Sequence, residues 1–114
     1  MSRYSKIKLG DSENVIHKIT DEDLKLFVEL SGDDNRLHVD KEFAGKTSYM
    51  DTVVHGMIGA SFISTVIGTK IPGDGALWYS QSLDFLLPVR IGDTLEITAK
   101  VIKKIDRLNS IELQ

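Results

Sequence analysis

The segment 55–69 (HGMIGASFISTVIGT) constrains the fold most strongly, because apolar residues lie on every side when it is drawn as a helix. A helix that is apolar all round is typical of a buried position. Its small residues, such as Gly56 and Gly59, would let a sheet or a ligand approach the backbone closely. The rest of the chain must therefore supply a layer that covers this helix.

The covering layer is predicted by segments in which apolar and polar residues alternate, as they do in half-buried strands. The clearest is Thr94–Ile105, with apolar residues at every odd position from 95 to 101. Further strands are predicted over residues 13–19, 76–87 and 110–114, with a turn over residues 106–109. Because most strands follow the helices along the chain, the order favours an α+β fold whose antiparallel sheet wraps the helix.

A second helix is predicted after Thr20, which is a typical N-cap residue followed by three acids in the first turn. Gly32 is a natural stop for this helix. Residues 41–44 are expected to add one further helical turn. The predicted apolar stripe of the second helix consists of Leu24, Phe27, Val28 and Leu30.

The 114 residues and the net charge of −3 predict a single domain, residues 1–114, without the clustered basic face of a nucleic-acid-binding protein. The absence of cysteine excludes disulfides, thiolate catalysis and cysteine-ligated zinc. Residues 2–11 are expected to form a loose, charged lead-in without the apolar region of a signal peptide. The longest apolar stretch is interrupted and shorter than the ~20 residues of a membrane span. We therefore expect a cytoplasmic protein that binds neither membrane nor nucleic acid.

The polar segment 31–40 (SGDDNRLHVD), predicted to be a loop, concentrates the candidate chemistry. Asp33 and His38 are close enough in sequence to converge on one small volume. An acid beside a neutral histidine suits acid–base chemistry on a water molecule. The start of the buried helix, near Gly56, would add free N–H groups and a positive dipole end, which stabilise an oxygen that gains negative charge.

Two other kinds of chemistry compete with this interpretation. The acids, Asn and His of segment 31–40 could ligate a metal, but their spacing matches neither a calcium-binding loop nor a helical two-histidine zinc motif. We expect no metal and no cofactor. Ser61 or Ser64 could serve as a nucleophile, but no GxSxG turn presents either of them. His17 is interpreted as an ordinary histidine, and His55 as a structural residue that caps the helix or stiffens a pocket.

Three stretches together resemble the (R)-specific enoyl-CoA hydratases of the MaoC-like family, which have the hot-dog fold. They read SGDDNRLHVD, VVHGMIGASFIS and IPGDGALWYSQSLDFLLPVRIGDTLEITAKV, and the resemblance extends from about Thr20 to about Ile105. The motifs GDxNxLHxD and HGM are specific when they occur together. The resemblance implies an antiparallel sheet wrapped around a long central helix, and usually a homodimer.

The resemblance also implies a role for each matching residue. Asp33 and His38 would be the catalytic pair that handles one water, and the N–H of Gly56 would bind the thioester oxygen. Asn35 and Ser64 match residues that support the loop and hold the acid or the water. The implied reaction is reversible syn hydration of trans-2-enoyl thioesters to (R)-3-hydroxyacyl thioesters, carried on CoA or on acyl carrier protein.

The chain departs from the family pattern in two places. Arg36 stands where the family usually has proline, and we expect it to be solvated. The C-terminal strands are expected to be short or missing, with a smaller sheet or dimerisation as compensation. Two other functions remain as alternatives. One is an acyl thioesterase, because the same fold also hosts thioester hydrolysis. The other, which the two departures keep open, is a non-catalytic module that binds acyl thioesters or serves in assembly.

Overall fold

The structure is a computed structural model, which describes residues 3–114. Its helices and strands follow one another in nearly the predicted order. The helices are α1 (Arg3–Lys6), α2 (Asp21–Ser31), α3 (Arg36–Val39), α4 (Lys41–Gly45) and α5 (Gly56–Thr69). The strands are β1 (Ser12–Lys18), β2 (Thr94–Ile105) and β3 (Ser110–Leu113), with a 3-10 turn at Asp106–Leu108. This mixture confirms the predicted α+β class.

The chain forms two compact units. The first comprises Met1–Ile16, Ser61–Gln81 and Glu96–Gln114, and the second comprises His17–Ala60 and Ser82–Leu95. Three elements, β1, α5 and β2, contribute residues to both units. Within residues 3–114, no helix combines the length and the apolar character needed to cross a membrane.

The first unit is built on a three-stranded sheet in the order β1-β2-β3. Strands β2 and β3 are antiparallel, and they pair from Ile105 opposite Ser110 to Val101 opposite Leu113, with an irregularity between Val101 and Lys103. The predicted alternation of β2 is confirmed from Leu95 to Val101, where the apolar odd positions are buried or half-buried and the polar even positions are exposed. The core of this unit consists of Ile7, Val66, Ile71, Ala99 and Val101.

The N-terminal segment is ordered from Arg3 onward, so the prediction of a loose lead-in is wrong there; Ser2 lies outside the described residues. Ile7 is buried in the core. The ammonium of Lys104 donates hydrogen bonds to the carbonyls of Tyr4 (3.2 Å) and Ile7 (2.6 Å) and lies 4.3 Å from the centre of the Tyr4 ring. The charged N-terminal segment is thus held by a lysine about 100 positions away in the sequence. No local sequence pattern reveals such a contact.

Helix α2, in the second unit, begins and ends where its caps predict. The hydroxyl of Thr20 accepts the N–H of Asp23 (3.2 Å), and the Asp23 carboxylate accepts the N–H of Thr20 (2.9 Å), which forms a capping box. Gly32 ends the helix with φ of 77°. Leu24 is buried as predicted, but Leu30 is 86% exposed. The prediction that Leu30 belongs to the stripe is wrong, because six residues at about 100° each turn it away from Leu24.

Helix α5 is confirmed, but the prediction that it is buried on every side is wrong. Ile58 and Val66 are almost completely buried, whereas Met57 is 54% exposed and Ser64 lies on an exposed position. A helix is buried all round only when structure covers each of its faces. In this chain one face of α5 remains open to solvent.

The predicted strand over residues 76–87 is not formed, because this segment has no regular secondary structure. A strand exists only as a member of a hydrogen-bonded ladder, and the sheet formed by the described residues contains β1, β2 and β3 alone. The alternating apolar residues of this segment are largely exposed, including Leu77, Tyr79, Phe85 and Leu87.

Replacing Val66 by alanine tests the core of the first unit. We expect the free energy of unfolding to fall by about 2 kcal/mol, because the change leaves a cavity where two methyl groups were fully buried. The matched control is Val39→Ala, since Val39 is 49% exposed and the same truncation there should cost less than about 0.5 kcal/mol. The measurement is urea denaturation, and an equal loss of unfolding free energy in both variants would contradict this assignment of the core.

The Asp23 carboxylate predicts a pH dependence of stability. Its pKa is lowered, first by the hydrogen bond from His17 (2.7 Å) and also by the N–H of Thr20. Because the folded-state pKa lies below the unfolded value of about 3.9, this stabilisation is present above about pH 4 and is lost as the pH falls through the folded-state pKa. The difference in unfolding free energy between wild type and Asp23→Asn should therefore shrink below about pH 4. If the unfolding free energies of the two proteins plotted against pH stayed parallel over that range, ionisation of Asp23 would contribute nothing to stability.

Candidate active site

Asp33 follows directly after the glycine that ends α2, and the turn around it is held at several points. Its N–H donates to the Ser31 hydroxyl (3.1 Å), and its carboxylate accepts the N–H of Asn35 (3.2 Å). Its carbonyl accepts a hydrogen bond from Nε2 of His55 (2.9 Å). Asp33 is exposed, so its carboxylate is presented to solvent from a fixed turn.

His38 lies on the short helix α3, which corrects the prediction that segment 31–40 is all loop. Asn35 caps this helix, because its side-chain oxygen accepts the N–H of Leu37 (2.9 Å). Nδ1 of His38 is 2.5 Å from the carbonyl of Val53, and the N–H of Val53 donates to the carbonyl of Leu37 (3.1 Å). A helix of four residues is too short to be stable alone. Its cap and these two hydrogen bonds therefore keep His38 in place.

The ring of His55 connects the acid to the other histidine. It is 3% exposed and stacks on the ring of His38, with 3.9 Å between centroids and 30° between planes. Phe27 contacts it from α2, at a centroid distance of 4.8 Å. The predicted structural use of His55 thus takes a specific form: the ring fixes the backbone of Asp33 and supports the ring of His38.

The hydrogen bonds determine where each neutral imidazole carries its proton. A carbonyl can only accept, so His38 carries its proton on Nδ1 toward Val53, and His55 carries its proton on Nε2 toward Asp33. Each ring then has one nitrogen with a free lone pair. In His38 this is Nε2; in His55 it is Nδ1, which is buried and has no hydrogen-bond partner among residues 3–114.

Polar atoms of Asp33, His38 and His55 all lie within 4.8 Å of one another. The structure therefore brings together the predicted acid and histidine, and it adds the second histidine. This spacing suits a single water molecule between a carboxylate and an imidazole. The same donors could hold a small cation, so the expected absence of a metal stays a prediction.

Gly56 is the first residue of α5 and follows His55 in the chain. Its backbone N–H has no acceptor within the helix, because the first four N–H groups of a helix point beyond its end. A Cβ atom at this position would lie 2.9 Å from Cε1 of Phe85, so glycine permits a close approach of that ring. The N–H of Gly56 is thus available beside the histidine pair to bind an oxygen.

The remaining candidates from the sequence do not belong to this group of three side chains. Asp40 caps α4 by accepting the N–H of Phe43 (3.0 Å), and His17 pairs with Asp23. Ser64 belongs to the first unit, and its supporting role stays a prediction. Arg36 is exposed, as expected, but it also has two unpredicted contacts: the Asp40 carboxylate at 3.5 Å and the Phe43 ring at 4.4 Å.

The family model described as "MaoC like domain" matches residues 11–114. The chain belongs to the MaoC-like family. It is 44% identical over 98 residues to the (R)-specific enoyl-CoA hydratase of Rhodospirillum rubrum, covering 86% of this chain and 68% of that protein. It is 38% identical to the 3-hydroxybutyryl-CoA dehydratase of Methylorubrum extorquens, covering 86% of this chain and 62% of that protein. The chain thus spans about two thirds of the length of these MaoC-like relatives.

The solved structures of the family confirm the predicted hot-dog fold. The (R)-hydratase from A. caviae superposes with a TM-score of 0.85 at 33% identity, covering 89% of this chain and 76% of that one. The resemblance inferred from the paired GDxNxLHxD and HGM motifs is therefore confirmed.

Several residues that build this MaoC-like site have no distinctive signal in the sequence. The sequence predicts Phe27 only as a member of the apolar stripe of α2, and Val53 contributes through its backbone. Arg90 lies between two predicted elements, yet its guanidinium binds the loop before α5. The sequence offers one signal for Arg90, which is its place directly after the apolar run that ends at Val89. An arginine there is half-buried, and a half-buried guanidinium needs hydrogen-bond acceptors.

The contact between Gly56 and Phe85 can be tested by a double-mutant cycle. Gly56→Ala should be destabilising with Phe85 present, because the new methyl group would displace the ring. In the Phe85→Ala background the same change should be neutral or stabilising, since alanine favours the helix by up to about 1 kcal/mol. The measurement is the free energy of unfolding of all four proteins, with a coupling above about 0.5 kcal/mol expected. A coupling of zero would show that the two residues are independent.

Proposed function

We propose that this chain catalyses the reversible syn hydration of trans-2-enoyl thioesters to (R)-3-hydroxyacyl thioesters. The observation that carries the proposal is the convergence of Asp33 and His38, with Nε2 of His38 left free by the bond from Nδ1 to Val53. The relatives from Rhodospirillum rubrum and Methylorubrum extorquens support the reaction class through their names. The (R) configuration follows the first of these names.

The proposed first step is the attack of one water molecule. The Asp33 carboxylate accepts one hydrogen bond from this water and orients it, while Nε2 of His38 takes the other proton. The water oxygen then bonds to C3 of the enoyl group, and the π electrons move onto the thioester oxygen. In the second step the electrons on the thioester oxygen restore the C=O bond, and C2 takes from Nε2 of His38 the proton that came from the water. Because the water and this proton are held by the same pair of side chains, both new bonds form on one face of the substrate.

Negative charge develops on the thioester oxygen during this step and requires a donor. The N–H of Gly56 at the start of α5 is suited to that role, because it has no acceptor within the helix and lies at the positive end of the helix dipole. Asn35 supports the pair by capping α3, and His55 supports it by stacking.

The proposed substrates are thioesters of CoA or of acyl carrier protein, and the reaction requires no metal or cofactor. We also propose a homodimer, which the large exposed apolar residues of segment 76–87, such as Tyr79 and Leu87, support. Residues 1–114 are proposed to fold as one domain, since α5 and β2 run continuously through both units. A cytoplasmic location is also proposed, and the absence of cysteine is compatible with it.

Loss of the conjugated enoyl absorbance of crotonyl-CoA tests the proposed reaction. Wild-type protein should hydrate this substrate, and Asp33→Asn and His38→Ala should each lower kcat by about 10²- to 10⁴-fold, because each removes a proton-transfer or orienting group. The matched control is Asp34→Asn, which changes the neighbouring exposed acid and should leave kcat unchanged.

Two outcomes would replace this proposal by one of the alternatives. Release of free thiol from acyl-CoA without hydration would identify a thioesterase. Saturable binding of crotonyl-CoA without turnover would identify a binding module. Full activity in both Asp33→Asn and His38→Ala would contradict the assignment of the catalytic pair.

A further inference from the structure

The half-buried side chain of Arg90 binds three backbone carbonyls of one loop. Its Nη1 donates to the carbonyls of Asp51 and Thr52, both at 3.0 Å, and its Nη2 donates to the carbonyl of Tyr49 at 2.9 Å. The planar guanidinium holds its donors in a rigid fork, so one side chain can fix several acceptors at once. The path of residues 49–52 therefore depends on a residue about forty positions away.

The loop needs this external support because its backbone is not relaxed. Met50 lies between two of the bound residues and has φ of 64°, in the left-handed region that a long side chain rarely adopts. Its side chain is 77% exposed, so packing of Met50 itself does not maintain the conformation. Thr52 is buried, and its carbonyl is satisfied by Arg90.

Arg90 is itself held in place by the turn that precedes β2. Its N–H donates to the Asp93 carboxylate at 2.9 Å, and the carbonyl of Asp93 accepts the N–H of Ile19 at 2.9 Å. Next to it, the carbonyl of Val89 accepts the N–H of Val54 at 2.8 Å. The guanidinium thus projects from a backbone that is bonded to the turn before β2 and, through Val54, to the segment that follows the loop it binds.

Val53 follows directly after the bound carbonyl of Thr52, and its own carbonyl accepts the Nδ1 proton of His38. We propose that Arg90 is a positioning residue for the reaction: by fixing residues 49–52, it aims the Val53 carbonyl at His38. That carbonyl keeps the proton on Nδ1 and leaves Nε2 free for the water. The consequence for the rate rests on the proposed hydratase function, whereas the consequence for the protonation of His38 does not.

The test compares Arg90→Lys and Arg90→Ala with wild type. Lysine offers a point charge that cannot reproduce the fork, so both variants should lower kcat for crotonyl-CoA by roughly 10- to 100-fold, with KM unchanged. Added guanidinium ion should restore part of the kcat of Arg90→Ala and none of that of His38→Ala. Nitrogen-15 NMR of the histidine rings should show His38 protonated on Nδ1 in wild type and divided between two tautomers in both variants.

The matched control is Arg107→Ala, which removes an exposed arginine in the first unit and should change neither kcat nor the His38 signals. A single Nδ1 tautomer together with wild-type kcat in both Arg90 variants would overturn the proposal. If Arg90→Ala does not fold, Arg90→Lys decides between the same two results. If wild type hydrates nothing, the proposed function fails, and the NMR comparison still tests whether Arg90 controls His38.

Discussion

The candidate site depends on two stacked imidazole rings. Each ring donates its one N–H in a hydrogen bond to a backbone carbonyl. His38 donates to Val53 and His55 donates to Asp33, so the free nitrogen of each ring is determined by main-chain geometry. In many enzymes a carboxylate orients the histidine. Here the carboxylate of Asp33 is not needed for that purpose and stays available to a water molecule. Main-chain carbonyls therefore hold both rings, and neither ring depends on a carboxylate for its orientation.

The parts of the fold that sequence reasoning predicted well are those whose determinants lie within a few residues. Helix α2 carries its own start and stop signals in Thr20, Asp23 and Gly32, and β2 carries its own alternation. Residues 76–87 show an equally clear alternation but form no strand. An alternating pattern predicts which side chains share a face, whereas a strand also needs a neighbour, and a pattern contains no information about that neighbour.

The same distinction applies to the site. Asp33 and His38 could be paired from sequence because both side chains are chemically distinctive and the segment between them is short. The Val53 carbonyl could not be identified, since every residue has a carbonyl and only the folded path shows where it points. The stacking of His55 and the clamp made by Arg90 depend likewise on contacts between residues distant in the chain.

Helix α3 carries His38, yet it owes little to its own residues beyond the Asn35 cap, because Val53 bonds it from outside. Arg36 is the first residue of this helix, where proline is well tolerated because the N–H of that position has no acceptor within the helix. Proline and arginine at this position therefore leave the hydrogen bonds within the helix the same. Position 36 can therefore carry either residue, with or without a charge, while the frame that holds His38 stays the same.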